Sequence, residues 1–312
     1  MGGRATEQPR AGGATSWGRP RRIVLIVGVG VAVLAVAVAV PLLVMGPDSG
    51  GRGSGTDQAD QVGGVVHVHG LGVDPADGAL YAATHMGLFR IPERGAAERV
   101  AGRFQDTMGF TVLGAHTFLA SGHPDLREEA PPLLGLLEST DAGQNWRPLS
   151  LYGKADFHAL AAAHGRVYGY DATGGAFLVS VDQKTWDARS RLAMRDFVVS
   201  PTDPDAVLAV TEEGLAASRD GGRRWRPVAG APPLAVLAWH SDGTVWGVDD
   251  SGGVWRSEDR GGTWARRGTT YGEPEAMTAA GGALYVAVAR RGILASQDGG
   301  LTWSVRYSEV GP

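Results

Sequence analysis

Five short segments of the chain share one pattern at nearly constant spacing: STDAGQNW (139–146), SVDQKTW (180–186), SRDGGRRW (218–225), SEDRGGTW (257–264) and SQDGGLTW (296–303). Their serines stand 41, 38, 39 and 39 residues apart. A supersecondary unit repeated at such a period cannot bury its apolar face alone, so the units must stack on one another. Each segment reads as a tight turn. Its Asp (Asp141, Asp182, Asp220, Asp259, Asp298) accepts hydrogen bonds from backbone N–H groups of its own loop, and Gly supplies a positive φ. Its Trp (Trp146, Trp186, Trp225, Trp264, Trp303) is expected to fold back as a packed apolar plug.

Strands extend backwards from each turn. GLFRIPE (87–93), GLLESTD (135–141), GAFLVSVD (175–182), GLAASRD (214–220), GVWRSED (253–259) and GILASQD (292–298) align as third strands. Second-strand candidates precede them, and HVHGLGVD, DTMGFTV, DFHALAA, RDFVVSP, LAVLAWH and PEAMTAA read as first strands. With 48 glycines and no collagen period, the composition suits many tight turns. Units of about 41 residues with four short strands each are propeller blades. The expected fold is therefore all-β: a six-bladed β-propeller over residues 64–312 whose first blade lacks the repeat turn.

The turns resemble the Asp-box, or bacterial neuraminidase repeat, S-x-D-x-G-x-T-W, which the last two copies match in full. The resemblance implies a structural turn between third and fourth strands, far from any active site. HVHGLGVDP, with ATHMGLF, DTMGF, SGHPD and DFH, resembles a group of exported bacterial Asp-box propellers often labelled glycosylhydrolase or exo-α-sialidase. This implies a propeller, export and a shared histidine-containing site. More distantly, the repeats are similar to sortilin-type domains and photosystem assembly propellers, which are binding scaffolds.

Within a blade the first and second strands form an antiparallel hairpin, so first-strand starts and second-strand ends gather at one mouth of the central channel. That mouth collects His67, His69, His85, His123 and His158, with Asp106, Asp156, Met108, Arg195 and Glu275 at the same level. On a regular strand His67 and His69 share a face. Imidazoles with carboxylates suit Zn²⁺ or Cu²⁺, Met108 suits copper better than zinc, and the same groups serve a small polar ligand or acid–base work. His116, His164 and His240 fall at turns on the far face and read as solvated.

Residues 89–92 read FRIP, which in sialidases supplies an Arg for the substrate carboxylate. Here Arg90 falls on a third strand, away from the axis. Arg195 and Arg290 are candidate partners, Tyr170 or Tyr271 a candidate nucleophile, and Glu275 with Asp106 or Asp156 a candidate carboxylate pair for glycoside hydrolysis. The readings that follow are a metal or polar-ligand binding propeller, an envelope glycosidase and a protein-assembly scaffold.

Residues 23–45 run 23 residues without a charge, enough to cross a bilayer as a helix. Arg19, Arg21 and Arg22 flank them, so residues 1–22 are expected in the cytoplasm as a basic tail, and 23–45 as an uncleaved, single-pass anchor in the cell membrane. Residues 46–63 read as a flexible linker. The basic tail has a net charge of +4; beyond it 24 basic face 32 acidic residues, a net of −8, which excludes nucleic acid as a partner. With no Cys, thiolate ligands and nucleophiles are excluded too.

Overall fold

The computed structural model describes residues 64–308. Six four-stranded antiparallel sheets each use four consecutive strands in sequence order. Blade 1 holds β1 (Val68–Val73), β2 (Leu80–Thr84), β3 (Gly87–Ile91) and β4 (Glu98–Arg99). Blade 2 holds β5 (Asp106–Gly114), β6 (Thr117–His123), β7 (Leu136–Ser139) and β8 (Arg147–Ser150). Blade 3 holds β9 (Phe157–Ala163), β10 (Arg166–Asp171), β11 (Ala176–Ser180) and β12 (Asp187–Arg191). Blade 4 holds β13 (Asp196–Val199), β14 (Val207–Thr211), β15 (Gly214–Ser218) and β16 (Arg226–Pro227). Blade 5 holds β17 (Leu234–Trp239), β18 (Val245–Asp249), β19 (Gly253–Ser257) and β20 (Ala265–Thr269). Blade 6 holds β21 (Pro274–Ala280), β22 (Ala283–Val288), β23 (Gly292–Ser296) and β24 (Ser304–Ser308).

The innermost strands contact one another in cyclic order, β1 to β5, β9, β13, β17, β21 and back to β1. The protein is a six-bladed β-propeller. Its apolar residues lie between blades, because both faces of every sheet are covered by neighbours; Leu80, Phe118, Phe157, Phe177, Leu237 and Ile293 are fully buried there. Among the described residues no helix is long and apolar enough to cross a membrane; the segment 23–45, its basic tail and the linker lie outside them.

The repeat turns connect third to fourth strands and pin blade to blade. In blade 4, Asp220 Oδ1 accepts the N–H groups of Arg223 and Arg224 at 3.1 and 2.9 Å and the Ser218 hydroxyl at 2.9 Å. Gly222 donates to Ser218 Oγ at 2.8 Å, with φ +89°. A Cβ at Gly222 would lie 2.2 Å from the Phe177 ring of blade 3; the matching Gly143, Gly261 and Gly300 press on Leu88, Leu208 and Val254 of their preceding blades. Only glycine allows that approach. The Trp residues are half-buried rather than fully packed. Trp186, Trp225 and Trp264 keep a polar partner for the indole N–H, as Trp225 Nε1 does in donating to Ser190 Oγ at 2.9 Å, whereas Trp303 Nε1 is buried without one among the described residues.

The far-face histidines have partners rather than solvent alone. His116 Nδ1 lies 2.8 Å from Asp74 Oδ2 of blade 1, and His164 Nε2 lies 2.8 Å from the Ser200 carbonyl of blade 4. His240 Nδ1 stands 3.0 Å from Asp242 Oδ1 in its own turn.

Candidate functional site at the channel mouth

One backbone device builds the mouth. The ladder between first and second strands skips a residue at His69, Met108, His158, Ala235 and Glu275, a β-bulge at the same level in five blades. A bulge leaves its extra residue unpaired and re-aims its side chain. His69, His158 and Glu275 thereby line the central channel, which encloses about 360 Å³.

The bulge also breaks the expected strand alternation. His67 precedes β1 with φ +51°, and its side chain is 71% exposed. It does not share a strand face with His69; its Nδ1 stands 3.9 Å from Glu275 Oε1. Glu275 Oε2 accepts the Val68 N–H at 3.1 Å, joining blade 6 to blade 1.

The other four imidazoles meet two carboxylates. His85 Nδ1 lies 2.8 Å from Asp106 Oδ1, and His123 Nδ1 lies 3.3 Å from Asp106 Oδ2. The second nitrogen of His123 stands 3.5 Å from Asp156 Oδ2, which His158 Nε2 meets at 2.8 Å. His69 packs edge-on against His85 with ring centroids 4.4 Å apart, and its Nε2 is buried, 3.8 Å from Asp106 Oδ1 and without a hydrogen bond. His69, His85 and Asp106 each offer a donor atom within 4.8 Å of the other two.

The protonation states follow from this packing. Burial, with His85 alongside, lowers the His69 pKa to about 4, so this ring is neutral at pH 7 and keeps a lone pair. The hydrogen bond from His85 to Asp106 raises the His85 pKa. Burial alone would raise Asp106, but that bond and the charge of His85 hold its pKa below the usual carboxylate value. Asp106 is thus a carboxylate and His85 Nδ1–H donates to it.

The opposite half of the mouth is built differently. Arg195 donates to Asp250 Oδ1 at 2.8 Å and to the Pro274 carbonyl at 3.0 Å, strapping blade 4 to blades 5 and 6. Asp196 also faces the channel and accepts the N–H groups of Phe197 and Leu237 at 2.8 and 2.7 Å. Burial raises its pKa to about 6. Asp196 escaped the sequence reading: pairing with Val210 on β14, it stands at the level of Ala159 in blade 3, beyond the Asp–Phe pair at 156–157. Arg90 lies on β3 and pairs with Asp77 at 3.1 Å, as its third-strand register predicts. Arg195 is the one arginine lining the channel among the described residues. Tyr170 borders a neighbouring cavity of about 600 Å³ beside Arg195, and Tyr271 is 77% exposed in the link between blades 5 and 6. Among the described residues a three-arginine sialidase cluster is not assembled at this mouth.

Fold and site together define a six-bladed propeller with a histidine–aspartate mouth. Its likeness to solved structures is one of fold. A chain of the nidogen–laminin complex shares it at 12% identity and TM-score 0.56, over 70% of this chain and 88% of that one. The GH74 xyloglucanase from Xanthomonas campestris shares it at 19% identity and TM-score 0.51, over 76% of this chain. An ancestral GH74 enzyme does so at 13% identity and TM-score 0.51, over 79% of this chain. This chain spans 45% and 39% of the length of those two enzymes. No protein-family model and no curated protein matches the chain.

Proposed function

We propose that the chain is a membrane-tethered, extracytoplasmic propeller whose mouth binds a divalent transition-metal ion, zinc or copper, through His69, His85 and Asp106. The observation that carries this reading is the buried, unpartnered Nε2 of His69, neutral and next to a carboxylate. A buried polar nitrogen without a partner is costly, and a metal ion is a partner it can take without a proton. Tetrahedral zinc with ligands near 2.0–2.1 Å sets its donors roughly 3.3 Å apart. The 2.8 and 3.8 Å separations around Asp106 Oδ1 bracket that spacing, and an ion bound there would replace the proton that His85 Nδ1 donates to Asp106, releasing it to solvent. The uncharged segment 23–45 would supply the tether.

Calorimetric titration of Zn²⁺ and Cu²⁺ into the chelator-stripped full-length chain, purified in detergent, tests the reading. Submicromolar binding is expected, weakened at least about tenfold by His85→Ala and by Asp106→Asn, since metal affinity rests on each ligand. Wild-type protein without submicromolar binding refutes it.

A second reading, an envelope glycoside hydrolase, draws on the carboxylates. His123 touches Asp106 and Asp156 through its two nitrogens. The carboxyl groups therefore stand at most about 9 Å apart, inside the range of roughly 5–9.5 Å that glycosidases use. GH74 enzymes of the same fold act in that class. Turnover of fluorogenic glycosides, sialosides or xyloglucan oligosaccharides that withstands chelator and is lost in Asp106→Asn and in Asp156→Asn would favour this reading over the first.

A further inference from the structure

Asp106 uses its two oxygens differently. His69 Nε2 and His85 Nδ1 both approach Oδ1, at 3.8 and 2.8 Å. Oδ2 is met by His123 Nδ1 at 3.3 Å, across the β5–β6 pair in which Asp106 and His123 stand opposite one another. A carboxylate only accepts, so the ring nitrogen facing it carries the hydrogen. The far edge of the ring is bounded too: His123 Nε2 stands 3.5 Å from Asp156 Oδ2 of blade 3, which His158 Nε2 meets at 2.8 Å.

We infer that His123 sets the selectivity of the metal site. By occupying Asp106 Oδ2 it leaves Oδ1 as the one carboxylate oxygen for the ion, and so favours four-coordinate zinc over ions that gather oxygens, Mn²⁺ and Ca²⁺. This inference rests on the metal-binding reading of the mouth and adds to it a residue that directs a ligand without touching the ion.

Coordination chemistry makes the difference. An ion at Oδ1 takes the place of the His85 proton and leaves the bond from His123 to Oδ2 intact. Its protein ligands are then two imidazole nitrogens and one carboxylate oxygen, with a fourth position left for water, a set suited to zinc. Mn²⁺ and Ca²⁺ prefer carboxylate, carbonyl and water oxygens, and Ca²⁺ often takes both oxygens of one carboxylate. At Asp106 that mode would break the bond to His123 and turn a ring N–H toward the cation. Outer hydrogen bonds that orient a ligand are worth about 10–100-fold in metal affinity. The His123 side chain is 38% exposed, so it can be varied without opening the core.

The test compares ions. The full-length chain, purified in detergent and stripped with chelator, is titrated with Zn²⁺ and Mn²⁺ by calorimetry and with Co²⁺ by visible absorption. Wild type should prefer Zn²⁺ and give the strong visible bands of four-coordinate Co²⁺. In His123→Ala the preference for Zn²⁺ over Mn²⁺ should narrow at least about tenfold, and the Co²⁺ bands should weaken as further oxygens join the ion. His123→Asn, whose amide donates from near the Nδ1 position, should restore both. His123→Leu fills the space without a donor and repeats the test should the alanine variant not fold. An ion preference and a Co²⁺ spectrum unchanged in the variants without a donor overturn the role of His123 and leave the metal site standing. A change that His123→Asn shares in full shows that the donated bond is not its cause, and overturns the role as well. Absence of any binding in wild type overturns the metal reading and this inference together.

Discussion

Gly222 tests how the blades are joined. It stands in the repeat turn of blade 4 with φ +89°, and a Cβ there would meet the Phe177 ring at 2.2 Å. That ring cannot yield: Phe177 is fully buried, with Phe197 and Trp225 stacked edge-on at centroid distances of 5.0 and 5.5 Å. Gly222→Ala therefore incurs two costs. The positive φ costs an L-residue roughly 1–2 kcal/mol, and the forced overlap in a packed core adds about 1–3 kcal/mol. Gly243 separates them, because it has φ +92° and nothing within 4 Å of its added Cβ. Gly243→Ala should thus lose only the first amount, and Gly222→Ala about 2–5 kcal/mol in all. The assay is urea unfolding of the full-length chain followed by tryptophan fluorescence, with the midpoints compared at equal m-value. Equal losses at the two glycines would refute the claim that the repeat turn seats itself on the preceding blade.

Two further outcomes are expected, beside the metal titrations given above. Trp264 is half-buried and donates to the Gly261 carbonyl at 2.9 Å, so Trp264→Ala should destabilise by about 2–3 kcal/mol in urea melts, short of the 3–5 kcal/mol of a fully buried aromatic; a loss below about 1 kcal/mol would mean the indole does not anchor the turn. Asp196 has its pKa raised from 3.8 to about 6 by burial, so the folded chain holds more protons than the unfolded one in that window and its stability falls as pH rises through it. Between pH 4 and pH 7 the stability difference should move towards Asp196→Asn by up to about 2–3 kcal/mol, and a difference that stays constant with pH would show that the carboxyl titrates normally.

The fold was legible because its signal is repeated. Each strand had five counterparts to fix its register, and the observed strands stay within about two residues of those read from the alignment. The level of the histidines was legible for the same reason. What the alignment could not show is the bulge at that level, since one unpaired residue leaves no trace in a period of 39. Nor could it show that His67 lies before β1 with a positive φ, which leaves His69 on β1 packed against His85 in the turn after β2. Asp196 was hidden by a neighbour: the eye settles on Arg195, whose guanidinium turns out to be a strap between blades.

The missing turn of blade 1 has its explanation in an arginine that also escaped notice. Three residues beyond the Trp of a repeat turn, Arg189 donates to the Gly221 carbonyl of the next blade's turn at 2.7 Å, and Arg267 lies 3.5 Å from that of Gly299. Arg306 occupies the same place in blade 6, where the next blade is blade 1. With no repeat turn to reach, its guanidinium takes the Ile91 carbonyl at 2.9 Å and that of Pro92, at the end of β3 where the turn would begin. Tyr307 adds its hydroxyl as acceptor for the Val65 N–H at 3.3 Å. Among the described residues no strand is exchanged between the first and last blades, and side chains close the ring: this arginine, this tyrosine, Glu275 on the Val68 N–H, and the apolar cluster of Val65, Val68 and Ile91 with Ala276 and Ile293. Blade 1 can lack the repeat turn because the last strand of blade 6 makes the connection from the other side.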